Sequence, residues 1–520
     1  MPDMLNVSVS GLRAFQRALE TTSHNIANVA TPGYSRQVVS LATSTPEIFG
    51  SSALGTGVTV QGIRRYSDEL LTLQMRQATS GFSRLSVYSE KAGALSNLFA
   101  DNSTGISASL QRFTNALQEV ANTPTSTAAR QVLISEAQGL TARLQSYESR
   151  LDNMDAQINE QLRAEAGTVN SIASNIAKLN QEIIRTSSQT GSAPADLLDA
   201  RDQQLALLSA RIDTSIVRQD NGAINVFIGN GQPLVVGNDA AQLVAQPDRF
   251  QPDRVTLAFR TSSGSVDVSS SLSGGSIGGL LDARRELIDP ARNELGRLAV
   301  GLAEVTNLQH ARGVDLHGDP GGDFFAVGGV EVLAARGNDG NATLAVTRTG
   351  SGALTTQDYI VQQSNGSWTV RRADTGAAVS FADNGGVLEF DGLSVNISGT
   401  ASDGDQFLVR PTADAISGLR TLVSDPSRIA AAAPVRTQAA AGNTGTATIS
   451  AGQVIDAGDA ALRDSVTIRF TDAGNWEARD AANNLLGGGA YVPGGDIEFN
   501  GWRVSIDGVA AAGDSFTVSA

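Results

Sequence analysis

Asn25-Ile26-Ala27-Asn28-Val29-Ala30-Thr31-Pro32-Gly33-Tyr34-Ser35-Arg36-Gln37 closes a segment in which Leu5, Leu12, Leu19 and Ile26 recur at every seventh residue. Residues seven apart lie nearly above one another on a helix, and Phe15 and Val29 widen the same apolar stripe. Such a stripe needs a partner, and the partner expected is another helix. The helix is predicted to stop near Asn28, because Pro32 pushes Thr31 out of the helical region and Gly33 permits a positive φ in the turn. Asn25 and Asn28 can hydrogen-bond the freed backbone. Arg13, Arg17 and Glu20 interrupt the apolar run and no small-residue cleavage site follows, so the segment is not a secretory signal peptide.

This helix, running from Ser10-Gly11-Leu12 through Asn25, Ala27 and Asn28 to Thr31-Pro32-Gly33-Tyr34, resembles the N-terminal signature of the bacterial flagellar axial proteins, the rod, hook and hook-associated subunits. The continuation Ser35-Arg36-Gln37 is more similar to the hook-associated subunits of the hook–filament junction than to hook protein. The resemblance implies that Leu5, Leu12, Phe15, Leu19, Ile26 and Val29 form an assembly interface, with Asn25, Ala27, Asn28, Thr31, Gly33 and Tyr34 as the family signature.

Composition fits a structural subunit better than an enzyme. The 520 residues can bury several cores, and two to four domains are expected. No cysteine is present, which removes disulfides, thiolate nucleophiles and cysteine metal sites. No apolar run is long enough to span a bilayer as a helix. The formal net charge is −15, yet residues 1–66 carry five arginines against Asp3, Glu20 and Glu47. The acidity therefore lies in the remainder, and it disfavours nucleic-acid binding, which needs a basic footprint. Fifty-four glycines and only 5% aromatics predict many turns and modest cores.

Beyond the signature, a Gly-rich β-like stretch over 55–62 leads into helical sequence from about Asp68 to Val120. After the Thr123-Pro124-Thr125 break, helical pattern resumes from about Ala128 to Arg185. There Leu140, Leu144, Tyr147, Leu151, Met154, Ile158, Leu162, Val169, Ile172, Ile176, Leu179 and Ile183 keep spacings of three and four, broken only at Glu165. The step through Met154, Ile158 and Leu162 is a stutter, which locally unwinds a coiled coil. Hook-associated subunits resemble this layout, whereas hook protein turns to β-structure sooner.

Three stretches invite a chemical reading. In Asp196-Leu197-Leu198-Asp199-Ala200-Arg201-Asp202, three carboxylates beside Arg201 at a helix entrance read as caps and ion pairs rather than as an acid–base site. Gly274-Gly275-Ser276-Ile277-Gly278-Gly279 lacks the Gly-Lys-Ser/Thr of a phosphate loop and resembles a family segment in which a helix returns after a β-excursion. His310, His317, Asp315, Asp319 and Asp323 form the one constellation suited to a cation. No bidentate Glu closes a twelve-residue loop, and Asp with Gly and Pro is ordinary turn chemistry, so no metal and no cofactor are expected. With three histidines, two lysines and no Gly-x-Ser-x-Gly elbow, nucleophilic catalysis is not expected either.

The last two hundred residues repeat. Glu389-Phe390-Asp391-Gly392 aligns on Glu498-Phe499-Asn500-Gly501 at an offset of 109, and the match continues through Gly404/Gly513, Asp405/Asp514, Phe407/Phe516 and Val409/Val518. Two β-rich modules are predicted, with Trp368, Phe390, Phe407 and Trp476, Phe499, Phe516 as core anchors.

The expected architecture is multidomain α+β: a long antiparallel, coiled-coil-like helical bundle with an N-terminal amphipathic assembly helix and outer antiparallel β-domains. Its predicted parts are a terminal axial-assembly segment of helix plus extended loop (1–66), a long-helix bundle (67–211), a β-excursion (212–272), a return helix (273–318), β-repeat 1 (319–428), an Ala-rich linker (429–441) and β-repeat 2 (442–520). The resemblance implies a secreted structural subunit that joins hook to filament at the extracellular flagellum. Its expected partners are copies of itself in a ring or short helical layer, hook protein, and adjacent hook-associated or filament proteins, without nucleic acid or membrane insertion. Another axial role, as hook, rod or filament subunit, and a secreted adhesin or glycan-binding module are the alternatives. Family members carry closing C-terminal helices after the β-domain, served by an export chaperone. Because the sequence stops at Ala520 after a strand of the second repeat, a fragment or truncated product is expected, with a mobile, uncovered first sixty residues.

Overall fold

The computed structural model describes residues 4–49, 52–100, 105–261 and 264–520. Two compact units divide the chain: residues 1–96 with 152–289, and residues 97–151 with 290–520. The fold is multidomain α+β, with long helices and antiparallel sheets.

In the first unit, α1 (Met4–Ala27) is followed by an antiparallel ribbon rather than the expected extended loop. β1 (Gln37–Thr43) pairs with β4 (Val58–Arg65), and between them β2 (Glu47–Phe49) pairs with β3 (Ser52–Leu54). The alternating Val, Leu, Ile and Thr content of these segments favours such pairing. α2 (Glu69–Phe99) ends before α3 (Ile106–Asn122), so the single helical run expected to about Val120 is two helices; Gly105 before Ile106 is extended at φ −68°, ψ 175°. After the Pro124 break, the Ser126 hydroxyl accepts the Ala129 N–H at 3.2 Å and caps α4 (Thr127–Thr190). α5 (Ala195–Ser209) precedes the β-excursion, a four-stranded sheet over 214–240 and a three-stranded sheet over 243–267. α6 (Gly275–Ala283), a π turn (Arg284–Ile288) and α7 (Asp289–Ala311) complete the return helix.

Asparagines on the buried side of α4 hold the excursion. Asn159 donates to Asp253 O and accepts from Val255 N; Asn170 donates to and accepts from Leu243; Asn180 donates to Ile224 O and accepts from Ile224 N. Each amide pairs one backbone N–H and one backbone carbonyl at the end or edge of a strand, groups that an apolar side chain would leave unpaired.

In the second unit the two repeats share one topology. Strands 331–334, 406–410, 359–364 and 367–372 form one sheet of the first copy in that order; 436–439, 515–519, 466–472 and 475–480 follow the same order in the second, with 485–490 added. Tyr359, Phe390, Val395 and Phe407 fill the first core, and Phe470, Trp502, Val504 and Phe516 the second. Asp391-Gly392 and Asn500-Gly501 occupy matching hairpin turns with both residues at positive φ, the backbone that Asp-Gly and Asn-Gly tolerate best. Asp405 accepts from the N–H groups of Asp339, Gly340 and Ser402, and Asp514 from those of Thr444, Gly445 and Ala511. The Ser402 and Ala511 donors lead in holding these carboxylates below their usual range. Asn338/Asn443 and Gly340/Gly445 therefore belong to the repeat as well, at an offset of 105 that a gapless alignment misses.

The Ala-rich stretch 429–441 is not a free linker. The Ile429 carbonyl accepts from Arg130, Ala432 bridges Val314, and Arg436–Ala439 pairs with the strand Ser515–Ser519. Small side chains allow the backbone this close approach.

Candidate assembly site

α1 carries two stripes. Leu5, Leu12, Phe15, Leu19, Ile26 and, just past the helix, Val29 are between 62% and 82% exposed. On the opposite side Val7, Gly11, Ala14, Ala18, Thr21 and Asn25 follow the same spacing of four and three, and this face meets the β1–β4 ribbon with Ala14 and Thr21 buried. The expectation of an isolated helix is thereby corrected, since the ribbon supports the face of small residues, while the apolar stripe stays uncovered within the described residues as expected. At Gly57 (φ +115°) an added Cβ would collide with the Ser10 hydroxyl, which accepts the Val58 N–H at 3.2 Å.

The signature residues build the junction between α1 and β1. Asn25 donates to Gln37 O and accepts from Gln37 N, both at 2.8 Å, and accepts from the Tyr34 hydroxyl at 2.7 Å. Tyr34 also lies 3.0 Å from His24 Nδ1. Burial, then the carboxylates of Asp196 and Asp199, push its phenol above the ordinary range. Asn28 donates to His24 O and accepts from the Thr31 hydroxyl, closing the helix end. Gly33 turns the chain at φ +83°. Ala27 is the exposed last residue of α1.

The acidic run in α5 anchors this junction. Spacings of three place Asp196, Asp199 and Asp202 on one helix face, where Asp196 accepts from Gln37 Nε2, Asp199 from Ser35 N, and Asp199 and Asp202 pair with Arg65 at 3.0 and 2.6 Å. Burial opposes the Arg65 charge, but Asp202 and Asp199 outweigh it and hold the guanidinium above its usual range. Arg201 lies off this face and turns instead to Asn180 Oδ1 and Gly222 O. The ion pairs thus link α5 to the ribbon rather than to Arg201. The spacing of the three aspartates was the available signal; their partners, some 160 residues earlier, were not.

The His/Asp constellation is tied into the chain. His310 is buried, with Nδ1 2.6 Å from Gly322 O and Nε2 accepting from Ala430 N at 2.9 Å, so both ring nitrogens are occupied. Asp315 accepts from His317 N and Asp319 N and pairs with Arg428, as does Asp319; against burial, these donors hold the Asp315 carboxyl below its ordinary range. Asp323 is exposed. Among the described residues no group of three or more His, Asp or Glu is arranged to hold a metal. Trp368 and Trp476 are half-buried against Phe407 and Phe499.

Comparison with known proteins agrees along the chain. The flagellar hook-associated protein FlgK helical-domain family matches residues 92–325, the flagellar hook-associated protein 1 D2-like domain matches 333–411, and the flagella basal body rod protein family matches 5–34. Flagellar hook-associated protein 1 of Escherichia coli K12 is 34% identical over 436 residues, 83% of this chain and 80% of the relative. Its namesake in Salmonella typhimurium LT2 is 35% identical over 438 residues, 83% of this chain and 79% of the relative. The solved flagellar hook junction protein FlgK from Burkholderia pseudomallei superposes with a TM-score of 0.76 at 31% identity, covering 86% of this chain and 87% of that one.

Proposed function

The chain belongs to the flagellar hook-associated protein 1 family, and from that premise we propose that the exposed seam of α1 is the surface through which it assembles. The protein is a structural subunit of the bacterial flagellum at the hook–filament junction. The observation that carries the assembly role is the division of α1 into a small-residue face spent on its own ribbon and an apolar face left open at Leu5, Leu12, Phe15, Leu19, Ile26 and Val29. Covering a large apolar side chain is worth about 1.5–3 kcal/mol, so this seam favours association strongly. Residues 1–66 are the terminal assembly segment in this reading, and the signature from Asn25 to Tyr34 aligns the seam on its support. The protein works without catalysis. Its partners are further copies of itself, hook protein on one side and other hook-associated or filament proteins on the other, in an extracellular layer reached by export.

The test is the double variant Leu12→Asp, Leu19→Asp in the full-length protein. Unpaired charge in a helical interface costs several kcal/mol per group, about 2 or more. Cells are expected to secrete the variant, keep their hooks and lose their filaments; normal filaments would exclude the seam as an interface.

A further inference from the structure

A recess of about 320 Å³ in the first unit is lined by Arg65, Arg76, Arg201 and Arg218 against only two carboxylates, Glu69 and Asp202. Two of the cations are spoken for. Arg65 pairs with Asp202 and with Asp199, and Arg218 pairs with Glu69 at 2.9 Å. Even with Asp199 counted, positive charge remains in excess.

The other two form no ion pair among the described residues. Arg76 is half-buried and has no ion pair or hydrogen bond among the described residues. Arg201 is 2% exposed; one terminal nitrogen donates to Asn180 and Gly222, and its buried Nε has no partner. An unpaired, desolvated guanidinium is costly, and buried donors are normally satisfied. Burial, helped by repulsion from Arg218, outweighs attraction from Asp202 and Glu69 and holds Arg76 below its ordinary range; burial, with repulsion from Arg218 and Arg65, outweighs attraction from Asp202 and brings Arg201 down to about 10. The Thr214 residue adds a hydroxyl to the lining.

We propose that this recess binds a small oxyanion, a carboxylate or a phosphate, between Arg76, Arg201 and Arg218. Guanidinium forks match both groups, and a bound anion would offset the excess positive charge and quench the repulsion between the arginines. Nothing in the assembly role requires such a site.

The full chain at low ionic strength is titrated calorimetrically with sodium phosphate and, separately, sodium acetate, each against sodium chloride at matched ionic strength. Saturable binding of at least one anion is expected, weakened about tenfold or more in Arg76→Gln and unchanged in Arg13→Gln, which lies outside the recess. Phosphate binding alone identifies a tetrahedral ligand, and acetate binding identifies a carboxylate. Without either anion, Arg76→Gln is expected to melt no lower than the parent chain, because the variant removes a charge whose desolvation outweighs its attraction to Asp202 and Glu69. Binding of neither anion, binding indifferent to Arg76→Gln, or a lower anion-free melting temperature in that variant would overturn the proposal.

Discussion

α1 and α4 carry the same apolar spacing and meet opposite fates. In α4, Leu140, Leu144, Leu151, Ile158, Leu162, Val169, Ile176 and Ile183 are buried, whereas in α1 the equivalent stripe stands open. The difference lies in where the asparagines sit. Asn159, Asn170 and Asn180 occupy the buried side of α4 and bond strand edges of the same chain. Asn25 does the same for β1, but from the face of α1 opposite its leucines. A heptad stripe says which face needs cover; the polar residue that bonds a strand says which face the chain itself covers.

Truncation in the two stripes sharpens the comparison most. Leu144→Ala, at a fully buried position, is expected to cost about 2–5 kcal/mol. Leu12→Ala in the same soluble chain should stay within about 0.5 kcal/mol, since little contact is lost. Chemical denaturation of both variants checks this, and equal losses would break the distinction between an internal and an external seam.

The asparagines give a smaller, graded effect. Asn180→Ala strands the Ile224 N–H and carbonyl in a fully buried setting, for an expected loss of about 2–3 kcal/mol. Asn25→Ala sits at a half-buried junction and should cost about 1 kcal/mol, seen as faster amide hydrogen exchange over Gln37–Thr43 while the β-repeats are unaffected. Exchange unchanged in that strand would mean that Asn25 does not hold the ribbon to the helix.

Much of this was legible in residues. The α1 stripe, the α4 spacing and the 109-residue offset are periodic signals, and periodicity is what a helix face or a duplicated module must leave in sequence. The ribbon was not legible as the helix's partner, because Gly11, Ala14, Ala18 and Thr21 are small enough to pack on anything and so announce nothing. Nor were the ties of Asp196 and Asp199, since an aspartate at a helix start reads as a cap whether or not a distant Gln37 or Ser35 reaches it. The Ala-rich stretch 429–441 misled for the same reason: small residues mark close packing as readily as a linker.

The central claim is that the Leu5–Val29 seam is open in the free subunit and covered in the flagellum. The natural chain has no cysteine, so a single Leu19→Cys reports its own accessibility to a maleimide. Labelling should be rapid in the soluble full-length protein and at least about tenfold slower in purified flagella, whereas Leu485→Cys, exposed in the second β-repeat, should label freely in the soluble protein. Equally rapid labelling of Leu19→Cys in the assembled flagellum would contradict the account.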